Sequence, residues 1–134
     1  MQCTNYPGWV ELEAKVCGFI DMVGVTFDTA QAKCKAMGGT MIEPYNAQVT
    51  AGILALKKTG FTHLGMSDRG VVKGKFYALS KPNSPLNYTN WASYSSTVGS
   101  TQNCGYIDLA TGKWSDNVCT SSRGTFCMKF KHLF

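Results

Sequence analysis

Six cysteines constrain the fold of this chain more than any other feature of its sequence. None of them forms a Cys-x-x-Cys pair and the chain has two histidines, which disfavours a zinc ribbon or a redox motif. An even number of cysteines in a small domain is typical of an oxidising compartment, so we expect three disulfides in a secreted, extracellular protein. Spacing alone leaves fifteen possible pairings. The cysteines are Cys3, Cys17, Cys34, Cys104, Cys119 and Cys127.

The length of 134 residues fits one compact domain spanning residues 1–134. A formal net charge of +5 favours acidic partners such as anionic glycans, although scattered lysines also fit a plain solvated surface. Because no nucleic-acid-binding motif appears, we expect no nucleic acid partner. No apolar run approaches the roughly 18 residues of a membrane span. The N-terminus lacks the apolar segment of a signal peptide, so we expect a mature chain from which that peptide has been removed.

Two helices are predicted where a capping residue precedes apolar residues at helical spacing. Thr26 caps the first helix, which ends at the paired glycines Gly38-Gly39. Asn46 caps the second helix, predicted over Ala47 to Lys57.

The rest of the chain predicts short strands and loops. Glu43 is expected to be a turn residue before the second helix. Residues 80–103 form a long-loop region rich in Ser, Thr, Asn, Pro and Gly, and loops of this length are usually functional or disordered. The candidate strands are Trp9 to Leu12, Gly18 to Val25, His63 to Ser67, Lys75 to Leu79, Cys104 to Asp108, Lys113 to Ser115 and Gly124 to Phe130.

Five segments together resemble a known family, the C-type-lectin-like domains. The resemblance covers nearly the whole chain, with cysteines, glycines and tryptophans in family order, and is to the long form found in collectins and invertebrate C-type lectins. The segments are FDTAQAKCKAMGG, HLGM, LNYTNW, NCGYIDLATGKWSDNVC and TFCMKF.

This resemblance implies an α+β fold, with two helices flanking two small antiparallel sheets and a long loop. It also implies an N-terminal hairpin extension over residues 1–18. The disulfides it implies are Cys34–Cys127, Cys104–Cys119 and Cys3–Cys17.

Sugar-binding members of the family hold a calcium ion in the long loop, but this sequence departs from their ligand pattern. The acidic tripeptide is missing, an acidic position carries Gln102, and the Trp-Asn-Asp motif reads Trp114-Ser115-Asp116. Calcium takes about six to eight oxygen ligands, several of them anionic. Since Asp116 is the one carboxylate left, we predict no tight calcium binding and no other cofactor.

A companion calcium site of the family uses an aspartate and a glutamate. Asp68 matches the aspartate, whereas the glutamate position carries Lys73. We hypothesise that the Lys73 ammonium pairs with Asp68 and replaces the ion. The simpler alternative is a Lys73 side chain in solvent.

If the fold holds, a set of polar and aromatic side chains clusters at the long loop and forms a ligand-binding face. Its hydrogen-bond donors and acceptors suit a sugar, although a solvated polar loop is the simpler interpretation. Trp91 and Trp114 are expected to serve more as core anchors than as ligand contacts. The predicted ligand-binding residues are Tyr94, Gln102, Asn103, Trp114, Ser115, Asp116 and Asn117.

These features predict a recognition module that binds a glycan, with anionic or microbial-surface glycans favoured, and without calcium. No nucleophile motif, facing carboxylate pair or phosphate loop is evident, so we expect no enzymatic activity. The first alternative is a protein–protein module that binds a cell-surface protein, with any homo-oligomer non-covalent because the cysteines pair internally. A third possibility is ice or mineral binding, for which the Ser/Thr content of Ser93 to Thr101 is modest.

Overall fold

Two helices form at the positions that the capping residues predict. The computed structural model describes residues 1–71, 74–92 and 103–134. Helix α1 (Phe27–Ala36) begins where the Thr26 hydroxyl accepts a hydrogen bond from the backbone N–H of Thr29. Helix α2 (Ala47–Ala55) begins where Asn46 accepts one from Val49. It ends two residues before the predicted Lys57, a residue whose φ of 58° is incompatible with continued helix.

Within the described residues, eight strands form one continuous sheet in the order β1-β2-β8-β4-β6-β7, with β3 beside β8 and β5 beside β4. The pairs are antiparallel except β4 with β8, which meet in parallel at Thr62 and Gly124. The α+β class is confirmed, and this parallel contact joins the two expected antiparallel groups. The strands are β1 (Trp9–Glu13), β2 (Val16–Val25), β3 (Thr40–Met41), β4 (Phe61–Ser67), β5 (Tyr77–Ala78), β6 (Asn103–Asp108), β7 (Trp114–Val118) and β8 (Arg123–Phe130).

The core lies between the helices and the sheet. Its largest side chains, Trp114, Phe27 and Phe126, are fully buried. One apolar cluster surrounds Trp114 and Phe126, and a second surrounds Phe27 together with several cysteines. The first cluster includes Trp114, the first residue of β7, and Trp91 of the long-loop region packs against this cluster.

Three disulfides link distant parts of this framework, and their pairing is the one that the resemblance implies. Cys34–Cys127 ties α1 to β8 across 93 residues of sequence. Cys3–Cys17 ties the N-terminal segment to β2, and Cys104–Cys119 ties β6 to the residue after β7. No cysteine is free.

The two ends of the chain pack against each other. The rings of Tyr6 and Phe134 lie 4.5 Å apart, and the Trp9 ring meets Phe134 edge-on at 5.1 Å. The Lys131 backbone N–H donates a hydrogen bond to the Lys15 carbonyl. The C-terminal residues thus cover the N-terminal hairpin of β1 and β2.

Helices of the length and apolarity needed to cross a membrane are absent from residues 1–71, 74–92 and 103–134.

Candidate ligand-binding site

Strands β6 and β7 bring four of the predicted ligand-binding residues together. In their antiparallel register Asn103 lies opposite Val118, and Asp116 lies opposite Gly105. The Asn103 side-chain amide donates a hydrogen bond of 3.0 Å to Asp116 Oδ2. Asn103 and Ser115 are buried, Asp116 is half-buried and Asn117 is exposed, so Asp116 and Asn117 give this end of the sheet its polar surface.

Trp114 is the exception among the described members of the predicted set. Its side chain has no solvent exposure, so its inclusion as a ligand-binding residue was wrong and its role is that of a core anchor. The indole packs edge-on against the rings of Tyr88 at 6.0 Å and Trp91 at 5.3 Å. A side chain enclosed in this way cannot contact a ligand unless the core opens.

Some of the predicted residues lie outside the described residues. They are Lys73, Tyr94, Gln102 and the stretch 93–101 considered for ice binding. The Asp68–Lys73 ion pair therefore stays a hypothesis, and its test remains the effect of Lys73→Ala on the free energy of unfolding.

Asp68 is fully buried at the point where the long-loop region rejoins the sheet. Its Oδ1 accepts a hydrogen bond of 2.6 Å from the Asn103 backbone N–H, and its Oδ2 accepts one of 2.8 Å from Gly74. Through these two bonds Asp68 joins the end of β4 to the start of β6 and to Gly74.

The residues present do not fit a loop calcium site. Asp116 is accompanied by the neutral side chains of Asn103, Ser115 and Asn117, and residues 93–102 contain no Asp or Glu. Across the part of the chain that the structure describes, no group of three or more His, Cys, Asp or Glu side chains could hold a metal ion. Neutral oxygens with one carboxylate offset little of the cost of dehydrating a divalent ion.

Residues 90–92 of the long-loop region dock on strand β7. Ala92 donates a backbone hydrogen bond of 2.7 Å to Trp114, and Trp114 donates one of 2.9 Å to Asn90. The Asn90 amide also donates to the Gly112 carbonyl at 2.7 Å. These bonds hold Trp91 against the sheet, with its ring packed edge-on between Phe76 and Trp114.

This docking creates an open cleft of about 400 Å³, which we call the long-loop cleft. Its walls combine two aromatic rings with hydroxyl groups, a carboxylate and an ammonium group. The residues that line it are Phe61, Trp91, Ala92, Asp108, Thr111, Lys113 and Ser115.

Local contacts fix the polar groups of the long-loop cleft. Asp108 and Lys113 flank the turn between β6 and β7, where the Asp108 N–H donates to the Lys113 carbonyl at 3.0 Å. The Lys113 ammonium donates to Asn90 Oδ1 at 3.1 Å, and Asp108 Oδ1 accepts from the Ala110 N–H at 3.0 Å. Asp108 ends one predicted strand and Lys113 begins the next, which indicated that the two residues are neighbours, yet the predicted site omitted both.

Phe61 is the aromatic wall of the cleft that the sequence analysis also missed. Its ring is 45% exposed and meets Tyr106 edge-on at 5.8 Å. The guanidinium of Arg123 lies 3.8 Å from the centre of the Tyr106 ring, a distance that allows a cation–π contact. Because the exposed Phe61 ring packs against Tyr106, it forms a preformed surface for an apolar ligand face.

Comparison with known proteins identifies similar chains. The family model described as the lectin C-type domain matches residues 23–129. C-type lectin domain family 3 member A from Bos taurus is 31% identical over 107 residues, which cover 75% of this chain and 53% of that relative. The chain thus spans about half the length of that curated relative.

Solved structures share the fold at low sequence identity. The cow C-type carbohydrate-recognition domain of CD23, solved in the presence of GlcNAc2Man3 oligosaccharide, gives a TM-score of 0.79 at 22% identity, covering 93% of this chain and 95% of that one. A calcium-independent type II antifreeze protein gives 0.79 at 22% identity, covering 93% of each chain.

Proposed function

Because this chain belongs to the C-type lectin domain family, we propose that it is a recognition module that binds a glycan in the long-loop cleft without a bridging calcium ion. The observation that carries this proposal is the composition of the cleft. Trp91 and Phe61 offer ring faces beside the polar groups of Asp108, Lys113 and Ser115. A sugar ring has an apolar face that stacks on aromatic rings and a rim of hydroxyls that exchange hydrogen bonds with such groups.

The polar groups of the cleft can form different hydrogen bonds with the hydroxyls of a sugar. Asp108 accepts hydrogen bonds, the Lys113 ammonium donates them, and the Ser115 hydroxyl does either. Because Ala110 and Asn90 already restrain Asp108 and Lys113, binding loses less side-chain entropy than it would with free side chains. Asn117 lies two residues after Ser115 on β7, so the two side chains share one face of the strand.

Absence of a bridging ion is part of this proposal. It is supported by the shortage of carboxylates around Asp116. An acidic glycan is favoured because the chain carries a net charge of +5 and Lys113 lines the cleft. Three disulfides are typical of secretion, so we place the protein outside the cell.

A glycan array run with calcium and again with a chelator tests the proposal. We expect the same glycans to bind in both conditions, with affinity that falls as salt rises. Loss of all binding in chelator would show that the calcium-free mechanism is wrong. An array without any signal would contradict glycan binding and favour a protein partner instead.

A matched pair of variants tests the location of the site. Lys113→Ala is expected to weaken binding of an array-positive glycan by about 3- to 10-fold through the loss of a hydrogen bond and a charge. Lys35→Ala removes the same charge from an exposed position on α1 and is expected to leave affinity unchanged. Calorimetric titration measures both, and equal effects of the two substitutions would contradict binding in the long-loop cleft.

A further inference from the structure

A second cavity, of about 380 Å³, lies on another part of the molecule. It shares no lining residue with the long-loop cleft. Strands β4 and β8, the segment before α2 and the first residues of the long-loop region enclose it. Its walls are largely apolar and aromatic, and include Tyr45, Met66, Leu86, Tyr88, Met128 and Phe130.

Glu43 places a carboxylate in this apolar wall. The sequence predicts a turn residue there, but the side chain is only 5% exposed. The Ser80 hydroxyl donates to Glu43 Oε1 at 2.5 Å, and the Ser80 N–H donates to Oε2 at 3.1 Å. A carboxylate can accept about four hydrogen bonds, so these two leave part of its capacity unused.

No ion pair to Glu43 is found in the segments that the structure describes. The ion pairs found there join Lys33 to Asp21, Arg69 to Asp28 and Lys131 to Glu11. Lys81 lines the cavity and acts on Glu43 at longer range, from an exposed position. Burial raises the pKa of the Glu43 carboxyl above its usual value despite the Ser80 hydrogen bonds and the Lys81 charge.

We propose that this cavity binds a small organic ammonium ion with an apolar body. The ammonium group donates hydrogen bonds to Glu43, and the body packs against Leu86, Met66 and Met128. Such a ligand supplies the positive charge that a buried carboxylate needs, which neither a neutral nor an anionic ligand can do.

The aromatic walls favour the same class of ligand. The rings of Tyr45 and Phe130 lie 6.1 Å apart at an interplanar angle of 37°, and Tyr88 also lines the cavity. Aromatic faces attract organic cations through their quadrupole, most strongly where water is excluded. A neutral sugar would satisfy the hydrogen-bonding capacity of Glu43 but would place hydroxyls against the apolar walls, and it is therefore disfavoured.

Two probes of nearly equal shape test the proposal at pH 7, using the full chain and NMR-detected titration. 2-Phenylethylammonium carries the charge, whereas 2-phenylethanol replaces the ammonium with a hydroxyl. We expect the ammonium to bind about tenfold more tightly, with shifts of amide signals around Glu43 and Ser80. Equal affinity for the two probes, or shifts confined to the long-loop cleft, would overturn the proposal.

Single substitutions test whether Glu43 is the group that recognises the ammonium charge of the ligand. Glu43→Gln keeps the size of the side chain and is expected to abolish the preference for the ammonium, whereas Asp28→Asn, a charge loss elsewhere on the surface, preserves it. Lys81→Gln removes the exposed positive charge from the cavity and is expected to strengthen ammonium binding about two- to threefold. Since Lys81 is exposed, this variant tests the proposal even if Glu43→Gln does not fold. Unchanged or weaker ammonium binding by Lys81→Gln would contradict it, as would a preference retained by a folded Glu43→Gln.

Discussion

Asp68 joins Gly74 to Asn103, the last residue of the long-loop region, through one hydrogen bond from each backbone N–H. Replacing it with alanine leaves the buried N–H of Asn103 without its acceptor. We therefore expect Asp68→Ala to lower the free energy of unfolding by about 2–4 kcal/mol, measured by urea denaturation. The companion variant Asp28→Ala removes a carboxylate that is 68% exposed in its ion pair with Arg69, and should cost about 1 kcal/mol or less. Equal losses for the two variants would refute this role of Asp68.

His63 gives the stability of the protein a pH dependence of predictable sign. It is buried in β4, and its Nε2–H donates to the Val25 carbonyl at 2.6 Å. Burial, assisted by the charge of Arg123, lowers the pKa of the imidazole below its unfolded value of 6.5. The unfolded chain then binds more protons, so stability contributed by neutral His63 is lost as the pH falls below about 6.5 towards the lowered pKa.

The measurement is urea denaturation at pH 7 and pH 5. We expect His63→Gln to lose less stability than the wild type over this interval, because glutamine does not titrate. Glu43 contributes a pH dependence of opposite sign, because its raised pKa favours the folded state at low pH. Both the wild type and the variant contain Glu43, so its contribution cancels when their losses of stability are compared. The exposed His132→Gln should behave as the wild type does, and a His63→Gln variant with the full wild-type loss would disprove the assignment.

The sequence pointed to the roles of some single residues and missed those of others. Asp116 and Asn117 were singled out because the family resemblance matches a short segment between Trp114 and Cys119, and their ligand-binding role stays a prediction. Phe61 and Glu43 were missed because their roles depend on partners distant in sequence, such as Tyr106 and Ser80. Nothing in the local sequence distinguishes a buried glutamate from an exposed turn residue.

At the scale of elements, α2 approaches β1 so closely that a methyl group does not fit between them. A Cβ on Gly52 would lie 1.7 Å from the Leu12 carbonyl oxygen. Alanine normally stabilises a helix relative to glycine by about 1 kcal/mol. Here we expect Gly52→Ala to destabilise the protein by about 2–3 kcal/mol, because the backbone of β1 must shift.

The reverse change at the neighbouring position is the control. Ala51 is exposed on α2, and Ala51→Gly is expected to cost about 1 kcal/mol from helix propensity alone. Thermal and urea unfolding of both variants provide the comparison. If Gly52→Ala were more stable than the wild type, the close contact between α2 and β1 would be disproved.

Helices were predicted more accurately than strands, because their ends are determined by local groups. Thr26 and Asn46 fixed both helix starts through side-chain hydrogen bonds within three residues. Strand β5 contains two residues where five were predicted, and β7 runs to Val118 rather than Ser115. Strand length depends on the partner strand, and the pairing of β7 with β6 extends as far as Asn103 opposite Val118.

For the whole molecule, the disulfides contribute in proportion to the length of chain that they close. In the chain-entropy model, Cys34–Cys127, which closes 93 residues, contributes roughly 4–5 kcal/mol. Cys3–Cys17 closes 14 residues and contributes roughly 3 kcal/mol. We expect the Cys34→Ala/Cys127→Ala double variant to be less stable than Cys3→Ala/Cys17→Ala. Urea unfolding of both tests this order, and the reverse order would contradict it.

The family resemblance was sufficient to predict the overall topology, whereas the spacing of the residues alone was not. Fifteen cysteine pairings fit the spacing, and the order of cysteines, glycines and tryptophans selected the one observed. The parallel contact of β4 with β8 was not predicted, because it involves one residue pair, Thr62 with Gly124, and leaves no periodic pattern in the sequence.

The aromatic contact between Tyr6 and Phe134 has a consequence for engineering. Because Tyr6 lies against Phe134, a short peptide linker can connect these two segments of the domain, and new termini can be opened elsewhere at a surface turn. For the same reason the domain is suited to insertion into a loop of a host protein, whose two attachment points need not be far apart.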